Sequence, residues 1–175
     1  MKKMLGEKRR LELLNLLKQQ KRPITGTDLA KHANVSRQVI VNDMNLLKAR
    51  NEPIMATSQG YLYIEEQRTG IFERKIVCMH TGEQTREELY TIVDCGVTIE
   101  NVIVEHPVYG EITASIRVSN RLEADLFLEK LADTNANFLS TLTGGTHLHV
   151  ISAPSEELLD RASDRLREKG ILVEN

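Results

Sequence analysis

The chain has 175 residues and a mass of 19.8 kDa, enough for one large or two small domains with real cores and too little for a large modular enzyme. Hydrophobic residues make up 41% and charged residues 27%, which excludes a disordered tail protein or a fibrous repeat; with 3 Phe, 4 Tyr and no Trp, the cores must be built from Leu, Ile and Val. The net charge of −2 conceals opposite halves: residues 1–65 carry 12 Lys+Arg and 6 Asp+Glu (net +6), residues 66–175 carry 11 and 19 (net −8), so a basic unit suited to a polyanion precedes an acidic one.

Met1 to Arg10 is basic with no apolar stretch behind it, and no later apolar run is long, so neither a signal peptide nor a membrane span is expected and the protein should be cytoplasmic. Leu11, Leu14 and Leu17 recur at three-residue steps, with Leu13 and Leu16 widening the stripe, which predicts an amphipathic helix over Glu7 to Gln19 with Arg9, Arg10 and Lys18 mainly off that stripe. After Pro23 and Ile24, Thr25 or Thr27 can cap a second helix through Leu29 and Ala30 to about Ala33. Asn34-Val35 makes a turn, and Ser36 caps a third helix whose Ile40, Met44 and Leu47 share one face while Arg37, Gln38, Val41, Asn42 and Asn45 share the other. Asn51 suits a left-handed helix end. Ile54 to Thr57 and Tyr61 to Ile64 then flank Ser58-Gln59-Gly60 as a hairpin.

Three short helices with a tight turn between the last two, closed by a hairpin, describe a winged helix-turn-helix. Such a unit puts the start of its third helix into the major groove, where amide and guanidinium groups make paired hydrogen bonds with base edges. Ser36, Arg37, Gln38, Asn42 and Asn45 are therefore the candidate DNA-reading residues, with phosphate contacts expected from Lys and Arg around the first two helices and from the wing. The segment Val35 to Leu47 resembles the recognition-helix segment of bacterial winged-helix repressors and of the biotin-ligase DNA-binding domain, many of which carry a basic residue where Asn42 stands.

A boundary is expected near Gln67 to Gly70, giving domains at 1–66 and 70–175. Phe72 to His80 alternates as a strand with Phe72, Arg74, Ile76, Cys78 and His80 on one face. A helix follows over Glu83 to Asp94 with Leu89, Ile92 and Val93 inward, and Gly96 lies beyond its end. Val97 to Glu105 and Glu111 to Val118 read as strands, and Asn120 can cap a helix to Leu131 or beyond. Phe138 to Leu142 and Thr146 to Ile151 flank Gly144-Gly145. Ser155 caps a last helix ending in Arg165, Arg167 and Lys169, Gly170 stops it, and Ile171 to Val173 can add an edge strand. The order βαββαβαβ without a Gly-rich phosphate loop predicts an α+β domain with a mostly antiparallel sheet.

His147 and His149 stand two apart on a strand, so their side chains leave the same face and can reach one metal ion. His80 ends another strand, and Glu88 follows on the apolar side of the next helix, whereas Glu87 shares a polar side with Thr91 and Asp94. Three imidazoles and a carboxylate suit Zn²⁺, Ni²⁺, Co²⁺ or Mn²⁺. On spacing alone these histidines fit surface positions or internal hydrogen bonding equally well. Cys78 and Cys95, 17 residues apart without a CxxC spacing, read as buried thiols of a reducing compartment, and Cys78 as core packing although it shares a face with His80.

The segments Leu142-Thr143-Gly144-Gly145-Thr146-His147-Leu148-His149 and His106-Pro107-Val108-Tyr109-Gly110, with a histidine ending the strand at His80, resemble the three-histidine domain of the bacterial niacin-responsive repressors of NAD biosynthesis. With the preceding winged helix the resemblance spans nearly the whole chain. It implies a repressor that binds operator DNA when nicotinic acid is present, with a divalent metal in the sensor domain at His80, Glu88, His147 and His149. His106 is then left for effector binding or for structure. The resemblance and side-chain chemistry together name His106, Tyr109 and Arg121 as candidates to hold nicotinic acid, and the small footprint of one winged helix implies a homodimer on a palindromic site.

Two other classes use the same residues. A metal-dependent hydrolase would need a general base, for which Glu105 or Glu111 beside His106 is available, but no nucleophile elbow, phosphate loop or HExxH helix accompanies it, and the chain is not expected to be an enzyme. In a metal-responsive repressor the ion itself would be the signal.

Overall fold

Helices α1 (Gly6–Gln20), α2 (Gly26–Ala33) and α3 (Arg37–Ala49) precede a hairpin of β1 (Ile54–Thr57) and β2 (Gly60–Tyr63). This computed structural model describes residues 6–64 and 70–174, and the chain divides into two units, Met1–Gln67 and Arg68–Asn175. The boundary expected near Gln67 to Gly70 lies outside the described residues except for Gly70, as do the first five residues of the basic N-terminal segment.

In the first unit the caps fall where the sequence places them. Thr25 Oγ1 accepts from Asp28 N at 3.1 Å, and Ser36 Oγ from Val39 N at 3.4 Å. Between them Asn34 takes the left-handed conformation (φ 53°) that ends α2 and turns the chain into α3. Gly60 (φ 129°) lies so close to the loop before α2 that an added Cβ would stand 2.3 Å from the Ile24 carbonyl oxygen. That approach lets Ile24 and Tyr61 exchange backbone hydrogen bonds of 2.9 and 2.8 Å, which tie the wing to the helices. Leu13, Leu17, Leu29, Ile40 and Met44 are fully buried between the three helices.

Two expectations for α1 are corrected. Leu11 is exposed (61%), and Arg9 is buried on the side of Leu13 and Leu17, because positions 9, 13 and 17 stack at helical four-residue steps. Arg9 spends its charge internally: Nε and Nη2 reach the two carboxylate oxygens of Asp43 on α3 at 2.5 and 3.1 Å, and Arg10 Nη1 lies 3.3 Å from Asp43 Oδ1. Arg9 therefore does not present its guanidinium to a phosphate.

The second unit contains β3 (Phe72–Met79), α4 (Thr85–Val93), β4 (Thr98–His106), β5 (Gly110–Val118), α5 (Arg121–Asp133), β6 (Thr146–Ala153) and α6 (Glu156–Glu168). Its sheet has the order β3-β6-β4-β5 with every neighbouring pair antiparallel. Ile76 and Cys78, Ile151 and Ala153, and Ile116 and Val118 alternate onto one face, where Leu89 and Ile92 of α4, Ala124 of α5, and Leu159 and Leu166 of α6 cover them. His147 and His149 precede Ile151 at two-residue steps, so both point under these helices.

Local differences from the sequence reading are small. Leu139–Thr143 is a 3-10 segment, and Gly82–Gln84 forms a separate 3-10 turn before α4. Ser155 starts α6 without a side-chain cap bond. The segment after Gly170 makes one bridge, Cys78 to Leu172, instead of a full edge strand.

Candidate metal centre and nucleic-acid interface

Four residues distant in sequence meet under α4. His80 follows the end of β3, Glu88 lies on the buried side of α4, and His147 and His149 come from β6; each is at most 8% exposed. His80 Nε2 is 2.7 Å from Glu88 Oε2, while His147 Nε2 and His149 Nε2 are 3.1 and 3.4 Å from Glu88 Oε1. Neighbouring imidazole rings stand nearly perpendicular, 4.9 Å apart for His80 and His147 and 4.8 Å for His147 and His149.

The far side of each ring fixes its proton. Nδ1 of His80 lies 2.7 Å from the Thr81 carbonyl, Nδ1 of His147 lies 2.9 Å from that of Gly145, and Nδ1 of His149 lies 2.6 Å from that of Asn101. A carbonyl only accepts, so all three Nδ1 atoms carry hydrogen, and in the neutral rings all three Nε2 atoms present lone pairs to the Glu88 carboxylate, itself an acceptor. Convergent lone pairs around a buried anion require either protons or a cation between them. Where protons fill the role, burial opposes charge on His80 and His149, but Glu88 outweighs it, through its hydrogen bond to His80 and its charge beside His149, and raises both above the ordinary imidazole value. Burial likewise pushes the Glu88 carboxyl up, and the charge of His149 with the hydrogen bonds of His147 and His80 overrides it, holding Glu88 well below the carboxylate range. His149 Nε2 is buried without a hydrogen-bond partner. The donor set, its tautomers and this unpartnered nitrogen fit a divalent borderline cation.

Two features that hold the site were not read from the sequence. One is a bulge in β4, where the pairing with β6 slips between Ile99 and Ile103. The slip turns the Asn101 carbonyl to His149, and the Asn101 side chain accepts from Val150 N at 2.9 Å. The other is Cys78, which antiparallel register sets directly across from His147. Its thiol is in the core, as expected, but also within 4.8 Å of the ligand atoms of Glu88 and His147. Burial and then the Glu88 charge push this thiol far up, so it stays protonated and packs as a neutral group.

A cavity of about 160 Å³ opens beside the cluster, lined by His80, Glu88, His147 and His149 at one end and by Val102, Ile116, Phe127, Leu131 and Phe138 among others. His106, Tyr109 and Arg121 are not among its lining residues. His106 Nδ1 accepts from Val108 N at 3.1 Å and Tyr109 N at 3.3 Å, which closes the β4–β5 turn, and Tyr109 is 77% exposed. Arg121 grips Asp94 through two hydrogen bonds and lies over the Tyr90 ring at 4.4 Å. Glu105 and Glu111 are exposed on the strands flanking that turn, and Glu88 is the one carboxylate lining the cavity among the described residues.

On the first unit Ser36, Arg37, Gln38, Asn42 and Asn45 are all exposed along the start and outer side of α3, while Ile40, Met44 and Leu47 face the core. No helix among the described residues is long and apolar enough to cross a membrane.

Residues 9–62 match the model of an HTH domain and residues 73–175 that of the 3H domain. The chain is 53% identical over 175 residues to the transcription repressor NadR of Bacillus subtilis, covering 99% of this chain and 97% of that protein. It is 39% identical over 172 residues to the probable transcription repressor NiaR of Thermotoga maritima, covering 98% and 97%.

Proposed function

Because the chain belongs to the family of transcription repressors that join an HTH domain to a 3H domain, we propose that it represses genes of NAD biosynthesis or niacin uptake, with nicotinic acid as corepressor. In this reading it works in the cytoplasm as a homodimer on a palindromic operator. The observation that carries the effector assignment is the apolar, ring-sized cavity opening directly on the histidine cluster.

The Nε2 atoms of His80, His147 and His149 and the Glu88 carboxylate would hold a divalent ion, which supplies positive charge for an effector carboxylate. The chain's residues provide the rest. Backbone carbonyls hold the imidazoles in the ligating tautomer, α4 and the sheet exclude water, and the apolar walls accept a ring. His106 and Tyr109 at the β4–β5 turn and Arg121 at the start of α5 do not line this cavity, so in this reading its walls and the ion hold the effector instead. An effector that raises operator affinity must, by linkage, bind more tightly to the DNA-bound form by the same factor.

Calorimetric titration of the metal-loaded protein with nicotinic acid, nicotinamide and NAD is the decisive experiment. Nicotinic acid should bind and strengthen operator binding, and nicotinamide, lacking the anionic group, should bind far more weakly. Operator binding indifferent to nicotinic acid but responsive to the ion alone would establish the metal-responsive reading instead.

The DNA assignment has its own test. Arg37→Ala should weaken operator binding by about 1–3 kcal/mol where Arg37 reads a base, whereas loss of a phosphate contact would mainly reduce the salt slope. Unchanged operator affinity in both Arg37→Ala and Gln38→Ala would remove the start of α3 from the interface.

A further inference from the structure

The walls of the cavity restrict both what it admits and how that molecule lies. Its volume of about 160 Å³ is close to the roughly 150 Å³ that accommodates one benzene ring. Among the described residues neither lysine nor arginine lines it. Besides the neutral side chains of Thr85, Asn137 and Ser140, a carboxylate inside it finds charge compensation only at the cluster of His80, Glu88, His147 and His149, since the walls of Val102, Ile116, Phe127, Leu131 and Phe138 would leave the charge unpaired and out of water. The ring must then extend into the apolar end.

One lining group, a single helical turn before Glu88 on α4, has an unmet requirement. The Thr85 hydroxyl, in the first turn of α4, is buried and has no hydrogen-bond partner, and the residue as a whole is 7% exposed. A threonine in a helix can bond back to a carbonyl of the preceding turn, and this one does not. Native structures seldom leave a buried hydroxyl unpaired, and such a group favours a ligand that brings an acceptor over one of equal size that does not.

We propose that Thr85 is a specificity-determining residue of this pocket: its hydroxyl donates a hydrogen bond to an acceptor on the ring of a monocyclic aromatic acid whose carboxylate lies at the histidine end. The pocket therefore takes a pyridine carboxylate in preference to benzoate, which has the same outline but no ring acceptor. The inference rests on the reading above that the cavity receives the effector, and it adds the group that recognises the ring.

The test titrates the metal-loaded full-length chain with nicotinate and with benzoate. The original chain should bind nicotinate about tenfold more tightly than benzoate, the size of one net hydrogen bond. Thr85→Val, which keeps the side-chain outline, should bring the two ligands to nearly equal affinity by weakening nicotinate alone, and Thr85→Ser should restore the preference. Without metal or ligand, Thr85→Val should melt no lower than the original chain, because it removes a buried hydroxyl that has no partner. A preference for nicotinate that survives in Thr85→Val, equal binding of the two acids to the original chain, or a lower melting temperature of the ligand-free variant would each overturn the role of Thr85 and leave the effector reading standing. Failure of the metal-loaded original chain to bind nicotinate would overturn the effector reading itself.

Discussion

Asp43→Ala is expected to destabilise the N-terminal unit by about 3–5 kcal/mol, the loss typical when one partner of a buried ion pair is removed. Asp43 is 2% exposed, and its two oxygens take both Nε and Nη2 of Arg9, with Arg10 close behind. Alanine in its place leaves the Arg9 guanidinium charged between α1 and α3 without the Asp43 carboxylate that takes two of its nitrogens. The double substitution Arg9→Met with Asp43→Leu should recover much of the loss, because the penalty comes from a buried charge deprived of its carboxylate more than from the missing attraction. Differential scanning calorimetry of the full chain reads both variants. A loss below about 1 kcal/mol for Asp43→Ala would mean that the pair is hydrated and structurally minor.

The second large effect is the response of the C-terminal unit to metal, and its sign with pH is fixed by the histidines. In the metal-free protein the raised His80 and His149 contribute stability that is fully present below their ordinary value of 6.5 and is lost as pH rises through their raised values. Glu88, lowered, contributes stability present above the ordinary carboxylate value and lost only as pH falls through its depressed one. A bound ion needs the three Nε2 atoms free of protons, so metal stabilisation must grow as pH rises from 6 to 8, over the range where the metal-free protein weakens. At a thousandfold excess over Kd the gain is about 4 kcal/mol. His147→Ala should abolish it, and Glu88→Gln should reduce it sharply. Elemental analysis finding no stoichiometric metal after reloading, or a melting shift equal at pH 6 and pH 8, would contradict the metal assignment.

The sequence reading places residues correctly where position follows from local periodicity. His147 and His149 share a face because strands repeat every two residues, and Glu88 rather than Glu87 is buried because Leu89 and Ile92 define the inward side of α4. Ser36 and Thr25 cap helices because their short hydroxyl side chains can do so without tertiary help. What escaped the reading depends on long-range register. The carbonyl of Asn101 reaches His149 only because β4 slips against β6, and no side-chain pattern announces a bulge. Arg9 looked like one more surface cation because its partner is 34 residues away. His106, Tyr109 and Arg121 were named by motif and chemical type, neither of which carries the depth of a cavity, and the cavity's orphaned hydroxyl at Thr85 becomes visible only once α4 is packed.

The three Nδ1 acceptors are main-chain atoms, and this gives the histidine cluster an uneven tolerance to sequence drift. A carbonyl oxygen persists whatever side chain its residue carries, so Thr81→Val leaves the His80 tautomer in place. Position 145 has no such latitude. Gly145 combines a φ of 102° with an approach in which an added Cβ would stand 2.5 Å from the His80 carbonyl oxygen, so any side chain there displaces the very carbonyl that orients His147. A protein engineer retuning this centre can therefore change residue 81 at the cost of its side-chain bond to Gln84 alone, and must treat residue 145, which carries no functional group at all, as though it were a ligand.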